Sequence, residues 1–194
     1  MQTDISTITG CCGCIYSVRR ALYCELPADV ISDLVEPLMI LRGGKRIVFE
    51  PDAIAFEETT ETTAQEFNMR VRVVGRGMRG LLYARSVMNP LRHPFVAFQL
   101  ISHKVLRWLV PIFLVGAFLS SIALVGTPFY AATLALQCVF YLCALAGLVL
   151  RRSTHLSIVF SLPLYFVTLN TAALIAIVNT VRGSYATTWE TVRR

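Results

Sequence analysis

Residues 108–150 read WLVPIFLVGAFLSSIALVGTPFYAATLALQCVFYLCALAGLVL, and none of them carries a charge. Just upstream, Arg70, Arg72, Arg76, Arg79, Arg85, Arg92, Lys104 and Arg107 are the only charged residues between 70 and 107. A cationic stretch that ends at so long an apolar block marks a cytosolic surface meeting a bilayer. The block is about twice the ~20 residues that one helical span needs. Gly126-Thr127-Pro128 interrupts it near the middle, so two helices joined by a tight hairpin are expected, at about 108–125 and 129–149. The hairpin is uncharged and faces outside; Arg151 and Arg152 return the chain to the cytosol.

Upstream, residues 98–108 mix apolar side chains with Lys104 and Arg107, the pattern of an interfacial helix leading into the first span. His103 and Lys104 then anchor that helix at headgroup depth. Downstream, a third apolar segment at about 156–181 has two readings. As a single span it places Arg182, Arg193 and Arg194 outside. Pro163, Asn170 and Asn179 argue instead for a broken or interfacial element with a cytosolic tail, and charge counting favours that option.

The remaining charges are sorted along the chain. Of the 12 acids, all but Glu190 lie at or before Glu66. This divides the 194 residues into a mixed-charge head (1–68), a cationic neck (69–107), a transmembrane region (108–181) and a tail (182–194). With 55% hydrophobic and 15% charged residues the chain is too apolar for an ordinary soluble domain. The net charge of +6 sits beside a membrane boundary, which favours anionic lipid headgroups or a phosphorylated substrate over nucleic acid.

No secretory signal is visible in the first thirty residues. Cys11, Cys12, Cys14 and Cys24 fall on the side assigned to the reducing cytosol, where stable disulfides are not expected. Their spacing does not form the paired CxxC of a zinc site. Residues 22–41 have helical spacing of Val30, Ile31, Leu34, Val35 and Leu38; residues 46–49 look like a short strand; residues 62–74 look helical. A head of this size makes a poor independent core and needs something else to pack on.

Four stretches carry a resemblance. The first is Cys12-Gly13-Cys14-Ile15-Tyr16-Ser17-Val18-Arg19-Arg20, a small-residue turn followed by an Arg pair. The second is Ile31-Ser32-Asp33 with Pro37-Leu38, followed by Gly44-Lys45-Arg46-Ile47-Val48-Phe49-Glu50-Pro51 and Ala53. The third is Glu66-Phe67-Asn68-Met69-Arg70-Val71-Arg72-Val73-Val74-Gly75, and the fourth Ser102-His103-Lys104-Val105-Leu106-Arg107-Trp108-Leu109-Val110-Pro111. In this order, over nearly the whole chain, they resemble the carboxy-terminal half of membrane-bound family 2 glycosyltransferases, the group of cellulose and hyaluronan synthases. Ser32 stands where that family usually has an acid, and Met69 and Val73 replace the Gln and Trp of its Q-x-x-R-W motif. These departures point away from a processive synthase.

The resemblance implies a fold and a chemistry. The fold is a membrane α-helical protein with a small α/β cytosolic head, a partial glycosyltransferase A-type domain. The chemistry is inverting transfer of a sugar from a nucleotide sugar to a growing glycan or lipid-linked acceptor at the cell membrane. Asp33 holds the place of the general base, which takes the acceptor hydroxyl proton as that oxygen attacks. Cys12 and Gly13 line the acceptor end. Arg70 and Arg72 are candidates for the leaving diphosphate, because guanidinium forks bind phosphate oxygens; alternatively both belong to the lipid-facing neck with Arg76 and Arg79. Trp189 resembles a tail motif that returns near the acceptor. Glu36 has no assigned chemistry.

The family's donor-binding half, with a D-x-D motif for Mg or Mn, is expected before residue 10, where only nine residues stand, and no D-x-D occurs in the sequence. The expected function is therefore the acceptor-side, membrane-anchored part of such an enzyme, with no metal bound by this chain and no activity by itself. A non-catalytic membrane subunit or remnant scaffold is the alternative.

Overall fold

The computed structural model describes residues 7–57, 63–150 and 157–184. Every regular element among them is helical: α1 (Ser32–Arg42), α2 (Thr63–Tyr83), α3 (Pro94–Leu100), α4 (Leu106–Ala123), α5 (Pro128–Leu150) and α6 (Ile158–Val181). Short 3₁₀ turns occupy Arg20–Leu22 and Arg85–Met88, and a π-helical turn, Ile101–Val105, joins α3 to α4. The chain divides into two units, one of residues up to Arg107 with the end of α6 from Ala176 onward, the other Trp108–Ile175.

The α/β head expected from the resemblance is absent: no strand occurs among the described residues. The reason is local at residues 46–49. That segment has no regular structure, and the backbone of Ile47 meets a side chain instead of a strand. The Thr7 hydroxyl accepts from the Ile47 amide at 2.9 Å and donates to the Ile47 carbonyl at 3.3 Å. One buried threonine thus satisfies both polar groups of Ile47. Without a neighbouring ladder, Val48, Phe49, Ile54 and Phe56 remain exposed.

The core of the first unit is built on α1. Leu34, Val35, Leu38 and Leu41 recur at helical spacing and are buried, joined by Leu81, Ala84, Val87, Val96, Ala97 and Leu100. The helix begins ten residues later than the periodicity suggests. Asp29 makes an ion pair with Arg79, and Arg76 donates to the carbonyls of Ala28 (3.0 Å) and Val30 (2.7 Å). These contacts hold residues 28–30 against α2 and out of the helix. Arg76 and Arg79 are therefore internal clamps and not lipid-facing members of a cationic neck. α1 and α2 approach closely at Gly80, where an added Cβ would lie 2.5 Å from Val35 Cγ2.

Three helices are long and apolar enough to cross a membrane: the continuous run Pro94–Ala123, then Pro128–Leu150 and Ile158–Val181. This is the architecture of a multi-pass membrane protein. Their outward side chains suit lipid as the solvent, with Phe113, Leu119, Leu136, Leu145 and Val159 all exposed. The expected interfacial helix is thus the beginning of the first long helix. Pro128 starts α5, where its missing N–H costs nothing, and the Thr127 hydroxyl donates to the Leu124 carbonyl at 3.1 Å to close the hairpin.

α6 is unbroken, in contrast to the broken element favoured by charge counting. Pro163 lies in its second turn, and the Asn170 amide group donates to the Phe166 carbonyl at 2.9 Å. A polar side chain that bonds back one turn needs no break in the helix. Within the second unit, Gly147 lets α5 approach α6; an added Cβ would meet the Phe160 carbonyl oxygen at 2.7 Å.

Candidate functional site

Asp33 lies in the first turn of α1, and its surroundings follow from Pro37, four residues on. Proline has no amide hydrogen, so the Asp33 carbonyl loses the donor that a helix normally supplies from that position. The Cys11 amide donates to it at 2.8 Å. The cysteine-rich turn is thereby fastened to the start of α1, and Gly13 comes to lie over the Asp33 side chain. A Cβ on Gly13 would stand 3.1 Å from Asp33 Oδ2, so any larger residue there would press on the carboxylate.

The Asp33 carboxylate is half-buried, and its Oδ1 is buried with no hydrogen-bond partner among the described residues. Its pKa is raised above the usual carboxylate range, first because burial takes it from water. The Lys104 ammonium pulls the other way, as do the Leu34 and Asp33 amides and, more weakly, Arg76. Lys104 is half-buried in the π-helical turn. α1 packs on the Arg85–Met88 turn, that turn on α3, and α3 leads into the turn bearing Lys104. A π-helical turn re-aims side chains relative to a regular helix and often marks a functional position.

One turn beyond Asp33, Glu36 is only 2% exposed. The Tyr16 hydroxyl donates to its Oε2 at 2.8 Å, while Oε1 is buried without a partner among the described residues. Burial, then the bond to Glu36, raises the Tyr16 pKa. The Cys11 thiol is also pushed up, by burial and then by Asp33 and Glu36.

The structure brings Cys11 and Gly13 to Asp33, with the exposed Cys12 between them in the same turn. It does not bring Arg70 and Arg72 there: the cations acting on Asp33 are Lys104 and Arg76. Arg70 is 3.5 Å from Glu66 on its own helix, and Arg72 has a partner of its own. Trp189 lies outside the described residues, as do Arg151 and Arg152. The sequence reading gave Lys104 only a headgroup-anchoring role and gave Glu36 and Tyr16 no role at the site. The spacing of Pro37 from Asp33 was the available signal for the docked turn; nothing local marked Lys104 as facing inward.

Among the described residues no three His, Cys, Asp or Glu side chains converge to hold a metal ion. A separate cavity of about 290 Å³ in the second unit is lined by Leu114, Phe118, Tyr141, Phe166 and Asn170, among others. Its walls hold no carboxylate, amine, thiol or imidazole.

No family model, curated protein or solved structure matches this chain.

Proposed function

We propose that this chain supplies the acceptor side and the membrane anchor of an inverting glycosyl transfer, with Asp33 as general base. The observation that carries the reading is a convergence. The cysteine–glycine turn, Asp33 and Lys104 belong to three of the four stretches on which the resemblance rests, and they meet at one half-buried carboxylate.

The physical chemistry agrees with the role. A base must reach the acceptor hydroxyl and hold its proton as the new bond to the anomeric carbon forms. Partial burial makes Asp33 more basic, and the bare face of Gly13 keeps bulk away from Oδ2. The Lys104 charge offsets part of the burial effect on the Asp33 carboxyl. As the C–O bond to the diphosphate breaks, negative charge grows on the leaving group, and cations stabilise it.

The nucleotide sugar and its divalent ion are assigned to a donor-binding half outside the described residues. Exposed Val48, Phe49, Ile54 and Phe56 offer that half an apolar surface to cover. The acceptor is a glycan or lipid-linked chain, and the site is assigned to the cytosolic face of the cell membrane by the positive-inside rule.

The test is sugar transfer by this chain combined with a donor-binding half, as a fusion or a complex. Asp33→Asn keeps the shape but cannot accept a proton, so turnover should fall by roughly 10²–10⁴-fold with nucleotide-sugar binding retained. Undiminished turnover would assign the base to another chain and leave this one as a scaffold.

A further inference from the structure

We propose that Cys12 and Cys14 form a redox-active dithiol, which small-molecule disulfides convert to a Cys12–Cys14 bond across Gly13. The proposal stands independently of the transfer reading. Both side chains are exposed, whereas Cys11 and Cys24 are half-buried, and Cys138 and Cys143 lie in α5. The two thiols are separated by one residue and act on each other electrostatically. Cys14 Sγ also donates to Glu57 Oε2 at 2.6 Å, a contact that crosses more than forty residues of sequence. Gly13 between them has no side chain to obstruct a bend, and disulfide geometry asks for Cα atoms about 4.4–6.8 Å apart. A bend at residues 13 and 14 draws the chain in that direction.

The pair is also polarised. The Cys14 amide, then the Cys14 thiol and the Ile15 amide, hold the Cys12 thiol below its ordinary range. Cys14 is pushed up to about 12, chiefly by its bond to Glu57. Cys12 is therefore the attacking sulfur and Cys14 the resolving one. The Cys12 thiolate attacks one sulfur of a low-molecular-weight disulfide and expels one thiolate. Cys14 passes its proton to Glu57 as its sulfur attacks Cys12 Sγ, and the second thiolate leaves. Two electrons move from the protein thiols to the small disulfide, giving two small thiols and one intramolecular bond. In a reducing compartment such a bond is transient, the form that cytosolic redox-sensing disulfides take.

The experiment uses the full chain in detergent micelles, equilibrated with mixtures of reduced and oxidised glutathione, acid-quenched, and alkylated. The expected result is loss of two free thiols together, mapped by mass spectrometry to Cys12 and Cys14. Cys14→Ser should trap one glutathione on Cys12. A variant with Cys24, Cys138 and Cys143 all changed to Ser should still form the bond. Retention of both thiols under oxidising mixtures in the folded chain, or pairing of either with Cys11, would overturn the proposal.

Discussion

Gly13 and Asp33 are matched by absence: the Cβ that Gly13 lacks would stand 3.1 Å from Asp33 Oδ2. Gly13→Ala would push the turn or the carboxylate by a few tenths of an ångström. Because residue 13 is exposed, the stability change should stay within about 0.5 kcal/mol. Turnover in the reconstituted transferase should nevertheless fall by about tenfold or more, since small misplacements of a catalytic group are amplified in rate. Parallel thermal-melting and transfer assays separate the two effects. Equal activity in Gly13→Ala and the parent would show that Asp33 is not positioned by this contact.

The raised pKa of Asp33 has a signed consequence for stability. The folded carboxyl holds its proton more tightly than the unfolded one, so this group favours folding at acid pH. That contribution is lost as pH rises through the folded pKa. Lys104 and Arg76 oppose the burial term without cancelling it, and Glu36 and Cys11 are the other ionisable neighbours. Asp33→Asn should therefore melt above the parent at neutral pH and coincide with it at acid pH. A variant less stable than the parent at neutral pH would mean that the ion pairing outweighs desolvation.

What the sequence revealed, and what it withheld, follows the range of the interactions involved. The apolar helices were legible because a charge-free block is a local property, and Pro128 marked the hairpin directly. The contact of Gly13 with Asp33 joins segments twenty residues apart and was not legible from either segment alone. Residues 46–49 misled because strand propensity is real there, yet the satisfying group is the Thr7 hydroxyl forty residues away. Arg76 and Lys104 misled for a related reason. Their neighbours in sequence are basic and apolar, as at a membrane surface, while their partners come from residues 28–33.

Tyr16 is the hydrogen-bond donor to an almost fully buried Glu36. Tyr16→Phe leaves a buried carboxylate with neither oxygen bonded, which costs about 1–3 kcal/mol or more for a charged group. Adding Glu36→Gln replaces the carboxyl group by a neutral amide and should recover part of that loss. Denaturation of the single and double variants measures the coupling. If Tyr16→Phe melts with the parent, the Glu36 carboxylate finds another donor.

Gly80 faces Val35 across the α1–α2 contact, with its absent Cβ only 2.5 Å from Val35 Cγ2. Gly80→Ala should gain about 1 kcal/mol of helix propensity, but overpacking a stiff, fully buried valine costs about 1–3 kcal/mol. The net effect is destabilising. In the Gly80→Ala, Val35→Ala double variant the new methyl enters the space that the valine vacates, so the loss should be smaller than the sum of the single losses. Additive losses would show that the two residues are uncoupled.

The membrane orientation rests on charge alone and is open to direct measurement. Between residues 70 and 107 every charge is positive, and residues 108–150 carry none. Positive flanks stay on the cytosolic side, so Ser86 belongs in the cytosol and Thr127, in the hairpin before α5, belongs outside. Both positions are exposed on the protein itself, so labelling reports the side of the membrane and not burial. In a background where Cys11, Cys12, Cys14 and Cys24 are Ser, an impermeant maleimide should label Thr127→Cys in intact cells. Ser86→Cys should react only after the membrane is opened. The opposite pattern would invert the topology and move Asp33 to the outer face, where nucleotide sugars made in the cytosol do not reach it; the transfer reading would fail with it.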